Sequence, residues 1–156
     1  CLVVNAIVRA GIPVQGHIGL TPQTASALGG FKVQGKSAEA AQALIDDAKA
    51  LEDSGCFSLV LEAIPGPIAK MITEAIEIPT IGIGAGIDCD GQVLVTHDMV
   101  GLFDRFTPKF VKQYAKISDT ILAAISEFKA EVEQGKFPEE KHSFMMNADE
   151  LERVKG

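Results

Sequence analysis

The sequence predicts a parallel α/β fold, and within that class part of an eight-stranded (β/α)8 barrel of TIM type. Three observations lead there. Two apolar runs, Ser58-Leu59-Val60-Leu61 and Ile78-Pro79-Thr80-Ile81-Gly82-Ile83, have the continuous character of strands buried on both faces. Segments with apolar residues at helical spacing lie between them, so helix, strand, helix, strand, helix, strand follow in order. The chain opens on a helical segment with no strand before it and closes on helices rather than another βα unit. That favours an interrupted barrel over the rival open, flavodoxin-like sheet. A barrel takes about 250 residues, so residues 1–156 are expected to form roughly its second half, the carboxyl-terminal portion of one barrel domain.

The first helix is expected over Leu2–Ala10, with Val3, Ile7 and Ala10 on one face and Gly11 and Pro13 ending it. Ile12–Ile18 follows as a short strand. Leu20 to about Ser37 is rich in Gly, Thr, Pro and Gln, and a connection that long inside a compact domain marks a functional loop. Ser37 is placed to cap a helix whose buried stripe is Leu44, Ile45, Ala48 and Leu51, with Gly55 beyond its end.

The Glu62 strand comes next, then an amphipathic helix with Ile68, Met71, Ile72, Ala75 and Ile76 on one side. After the glycine-ended strand up to Gly86, Gly91–Val95 is expected as a fourth strand reached by an irregular link, with an outer helix as the alternative. The gap is too short for a crossover helix. Thr96 or Asp98 starts a short helix ending near Gly101, and Pro108–Tyr114 is expected to be another. Ser118-Asp119 should cap a longer helix carrying Ile121, Leu122, Ile125, Phe128 and Val132, ended by Gly135. Residues from about 136 to 156 form a charged tail, expected to be poorly ordered near its end.

Composition removes several function classes. With 47% hydrophobic and 22% charged residues the chain can build a real core. A net charge of −7 argues against nucleic acid or an anionic membrane surface as partner. No apolar run reaches the length of a membrane span. The three cysteines, Cys1, Cys56 and Cys89, are scattered without metal or redox spacing and fit reduced thiols in a cytoplasmic protein. A start at Cys1 rather than Met suggests a fragment or processed product.

Glu62 is the prime candidate for chemistry. It ends a buried strand at the carboxyl edge, where α/β folds keep their active sites, and burial there would tune it as a base. The alternative is a strand-end glutamate facing solvent. Glycines 82, 84 and 86 allow close approach to a ligand or simply a tight turn. They do not make a dinucleotide fingerprint, since Ile87 stands where the third glycine is needed. His17, between a strand and Gly19, is either a neutral donor to a substrate or a packed structural histidine. His97 and Asp98 are adjacent on a helix and so do not face each other, and His142 lies in the charged tail.

Five stretches in order, 16–23, 29–35, 59–62, 81–86 and 90–95, carry a specific likeness. They are Gly16-His17-Ile18-Gly19-Leu20-Thr21-Pro22-Gln23, Gly29-Gly30-Phe31-Lys32-Val33-Gln34-Gly35, Leu59-Val60-Leu61-Glu62, Ile81-Gly82-Ile83-Gly84-Ala85-Gly86 and Asp90-Gly91-Gln92-Val93-Leu94-Val95. Together with Pro108-Lys109-Phe110 and His142-Ser143-Phe144, the chain resembles the ketopantoate hydroxymethyltransferase family.

The resemblance implies a barrel enzyme of pantothenate (coenzyme A) biosynthesis. It would pass a hydroxymethyl group from 5,10-methylenetetrahydrofolate to 3-methyl-2-oxobutanoate, giving 2-dehydropantoate. It implies Glu62 as catalytic base, His17 beside the bound keto acid, and Ile83, Val93 and Val95 around the substrate's methyl groups. It further implies Mg2+, with ligands in the barrel half absent from this chain, and a cytoplasmic homodecamer. Chelation of the oxo acid by the ion would stabilise an enolate. The rivals are a metal-dependent oxo-acid barrel enzyme of the phosphoenolpyruvate mutase or isocitrate lyase type, whose reactive-cysteine loop is not visible here, and a non-catalytic ligand-binding module.

Overall fold

The computed structural model describes residues 1–21, 32–103 and 105–155. The element order is α1 (Leu2–Arg9), β1 (Gln15–Gly19), α2 (Ala38–Asp53), β2 (Ser58–Glu62), α3 (Gly66–Ala75), β3 (Thr80–Ile83), β4 (Gly91–Gln92), α4 (Thr96–Met99), α5 (Ser118–Glu133), a 3₁₀ turn at Glu140–His142 and α6 (Ala148–Lys155). The four strands form one sheet in the order β1-β2-β3-β4, every neighbouring pair parallel. Consecutive strands are therefore neighbours, without the reversal of order that a flavodoxin-like sheet has.

Alternation along the strands sorts the sheet into two faces. Gly16, Ile18, Leu59 and Leu61 share one face, and Ile18, Leu59 and Leu61 pack there with Ile45 and Ala48 of α2 and Ala69 and Ile72 of α3. Leu59, Leu61 and Ile72 are fully buried, each stabilising the fold by about 1.5–3 kcal/mol. The opposite face carries His17, Val60 and Ile81 in one row and Gly19, Glu62 and Ile83 in the next.

The helices obey their local signals, with exceptions. Ser37 does cap α2, its hydroxyl accepting from Ala40 N–H at 3.2 Å. On α3 the buried residues are Ala69 and Ile72, while Met71 is half exposed. The expected stripe is thus rotated, because α3 must meet α2 as well as the sheet. Ser118 caps nothing; Ile117 holds that position and makes no side-chain cap bond.

Pro108–Tyr114 is a turn rather than a helix. Val111 N–H closes it on Pro108 O, and the N–H groups of Tyr114 and Ile117 are spent on Met99 O and Val100 O, at 2.8 and 3.1 Å. The strand expected over Gly91–Val95 is only Gly91–Gln92. Within the charged tail, Glu140–His142 forms the 3₁₀ turn and Ala148–Lys155 forms α6. Residues 22–31 of the expected functional loop, including Pro22, Gln23 and Gly29 to Phe31, lie outside the described residues.

Candidate active site

Glu62 stands at the carboxyl tip of β2, paired with Gly19 on one side and Ile83 on the other. Gly19 has no side chain to obstruct it and a φ of +89°; a Cβ there would run into the Glu62 carbonyl. The tip is tied down by three backbone bonds. Leu20 N–H donates to Glu62 O at 2.8 Å, Ala63 N–H to Ile83 O at 2.9 Å, and Gln34 N–H to Ala63 O at 2.9 Å. Ala63 itself is left-handed, with φ 51°. That conformation costs a non-glycine residue about 1–2 kcal/mol, so the surrounding bonds enforce it. The chain turns sharply away directly after the carboxylate.

His17, one row below, approaches Glu62 diagonally, with Nε2 3.1 Å from Oε2. The two side chains are 31% and 14% exposed. The contact is out of line for an N–H···O bond, and Nε2 is buried with no hydrogen-bond partner among the described residues. A buried polar atom left in that condition is costly, and its natural complement is a ligand or an ordered water.

The tip of β2 opens on a cavity of about 830 Å³. Glu62, Ile83 and Val95 line it, together with Leu20 and Ala63. Of the residues expected from the sequence, His17 joins this group only through its contact with Glu62, and Val93 is not in the cavity wall. Val93 is 44% exposed, although its N–H donates to Gly82 O at 3.0 Å and so prolongs the β3–β4 pairing.

The sequence reading missed the polar remainder of the wall: Gln92, Asp98, and the rim lysines Lys32 and Lys109. Phe110 also went unnoticed in any role. Its ring lies over Gly84, where an added Cβ would come within 2.7 Å of it. The Pro108-Lys109-Phe110 stretch was itself the signal for this part of the site. From the sequence, Asp98 offers a helix start and a neighbour for His97 without a convergent partner, whereas in the fold Asp98 lines this cavity and His97 does not.

Neither the buried Cys56 nor the half-buried Cys89 is poised for chemistry. Burial pushes the thiols of Cys56 and Cys89 up from their ordinary range, which keeps them protonated and unreactive at neutral pH. Among the described residues no three His, Cys, Asp or Glu side chains converge on one point. Mg2+, which is usually held by one or two carboxylates with ligand and water oxygens, thus finds no preformed cage of three such side chains there. No helix among the described residues is long and apolar enough to cross a membrane.

A parallel α/β sheet with a carboxylate at a strand tip on the wall of a cavity of this size, backed by an imidazole one row below, defines a small-molecule site. The chain belongs to the ketopantoate hydroxymethyltransferase family, whose model matches residues 1–140. It is 64% identical over 150 residues to a 3-methyl-2-oxobutanoate hydroxymethyltransferase of Oleidesulfovibrio alaskensis, covering 96% of this chain and 52% of that protein. It is 60% identical over 153 residues to the protein of that name from Syntrophobacter fumaroxidans, covering 98% and 54%. For the Carboxydothermus hydrogenoformans protein of that name the identity is 59% over 151 residues, covering 97% and 55%. The chain spans about half the length of the curated relatives it matches.

Proposed function

We propose that this chain supplies the carboxyl-terminal half of a (β/α)8 barrel enzyme. The enzyme transfers a hydroxymethyl group from 5,10-methylenetetrahydrofolate to 3-methyl-2-oxobutanoate, giving 2-dehydropantoate for pantothenate synthesis. The observation that carries the reading is the Glu62 carboxylate, mostly buried at a strand tip and 3.1 Å from His17, on the wall of a largely apolar cavity. The strand order β1-β2-β3-β4 supports the barrel, where sequential strands are neighbours.

Glu62 acts as general base. It takes the proton from C3 of the keto acid, and the C–H electron pair moves onto the carbonyl as an enolate. The enolate carbon bonds to the methylene unit and water supplies its hydroxyl, as the two bonds from that carbon to folate nitrogens break. The C3 proton held by Glu62 and the second proton of the water pass to those two nitrogens. His17 Nε2, buried and unpartnered, orients the keto acid by a hydrogen bond. Ile83 and Val95 hold the isopropyl group and exclude water from the enolate, with Val93 flanking them on the β3–β4 edge.

Mg2+ would be held by carboxylates of the other half of the barrel and would supply polarisation of the keto acid's carbonyl there. The working enzyme is a cytoplasmic homodecamer. Desolvation pushes the thiols of Cys56 and Cys89 up, which weighs against either of them as the nucleophile of the reactive-cysteine rival.

Solvent exchange of the substrate's C3 proton, followed by NMR in deuterated buffer without folate, tests the assignment in the complete enzyme. Glu62→Gln is expected to slow it by about 10²- to 10⁴-fold, the usual share of a general base. Exchange at the unaltered rate would remove Glu62 from that role.

A further inference from the structure

The cavity contains a carboxylate that the chemistry above does not use. Asp98 lines the same wall as Glu62, is half-buried, and its carboxylate makes no hydrogen bond or ion pair among the described residues. A second carboxylate, itself unpaired, is a poor neighbour for an anionic keto acid, since like charges in a partly desolvated site repel. It is a good neighbour for a group that presents two adjacent N–H donors, because charge-assisted, bidentate hydrogen bonds are strong and directional.

The rest of the wall agrees with such a ligand. Phe106 and Phe110 offer aromatic faces, and Phe110 is seated on the Gly84 backbone. Lys32 and Lys109 are exposed, where an anionic tail would leave the cavity. A volume of about 830 Å³ is also far more than a small branched keto acid fills. It lies within the range of about 300–1,000 Å³ typical of drug-sized ligands.

We propose that Asp98 reads the one-carbon donor, accepting hydrogen bonds from the adjacent ring N–H and amino group of a flat heterocycle stacked near Phe110. The anionic tail of the donor runs out past Lys32 and Lys109. This rests on the hydroxymethyl-transfer reading and names where within that cavity the second substrate lies.

The test uses the complete enzyme and two measurements. Binding of 5-formyltetrahydrofolate, a stable stand-in for the donor, is measured by calorimetry. C3 proton exchange of the keto acid is measured without any folate. Asp98→Asn replaces one acceptor oxygen by a donor, so the Kd for 5-formyltetrahydrofolate should rise at least tenfold. The loss in kcat/KM for the methylene donor should also exceed the loss in folate-free exchange at least tenfold. An unchanged Kd, or equal losses in transfer and exchange, overturns the role of Asp98. Failure of the unaltered enzyme to catalyse exchange would instead strike the hydroxymethyl-transfer reading, and the binding measurement would still decide the fate of Asp98.

Discussion

Thr80, the first residue of β3, is completely buried and answers for the unusual link to β4. Asp90 Oδ2 accepts from Thr80 N–H at 2.8 Å and from its hydroxyl at 3.0 Å, while Asp90 N–H donates back to Thr80 Oγ1 at 3.2 Å. The Thr80 hydroxyl also lies 2.9 Å from that of Thr73 on α3. This clasp joins the start of β3 to the residue just before β4, which lets the chain return across the sheet without a helix. The donors favour the ionised carboxylate, so the bonds from Thr80 hold Asp90 below its usual 3.8. A depressed native pKa contributes stability that is present above the unfolded value and is lost as pH falls through the native one. Urea unfolding of the wild type and Asp90→Asn should therefore show a constant stability gap from neutral pH down to about 3.8, then a shrinking one. A gap that stays constant through acid pH would mean the charge on Asp90 plays no part in the clasp.

At the scale of elements, β4 and α4 decide the shape of the cavity. β4 makes its ladder through Gly91 and Gln92 and then leaves the sheet. Gln92 ties the link above it by donating to Gly86 O at 2.9 Å. Val95 sits at the N-cap position of α4, its carbonyl accepting from Met99 N–H at 2.9 Å and its side chain in the cavity wall. Placing a charge there carries a large desolvation cost whenever an apolar group must pack against it. In the complete enzyme, Val95→Asp should raise KM for the branched keto acid and lower kcat together in steady-state assays. An unaltered KM would show that this wall does not meet the substrate.

Among the described residues, helices bury only one face of the sheet. Val60 and Ile81 on the other face are only partly buried, and the apolar stripe of α5 is open, with Leu122 at 65%, Ile125 at 59% and Phe128 at 55% exposed. Leu2 and Val3 of α1 are more exposed still. Contiguous apolar surface of that kind drives association in water, as do unpaired strand edges. The 156-residue chain purified by itself should accordingly sediment as oligomers or aggregates rather than as a monomer. A monodisperse monomer with one cooperative melting transition would mean that these faces are satisfied within the chain.

What the residues determined by themselves was whatever depends on local period and punctuation. The continuous run Ser58–Leu61 could hardly be anything but a buried strand, and Glu62 at its end announced a candidate site. Ser37 and Gly55 bounded α2, and Gly135 followed α5, because caps and left-handed glycines act within a turn or two of chain. The tertiary structure decided what depends on register and on competition for hydrogen bonds. His17 meets Glu62 only because β1 and β2 pair parallel in the register that sets Gly19 against Glu62. Pro108–Tyr114 has the composition of a short helix but follows the C-terminal carbonyls of α4 instead, since those acceptors needed partners from elsewhere in the chain. Asp98 belongs to the cavity for the same reason. A side chain's neighbours across a sheet or a turn are set by long-range pairing, and no local pattern records them.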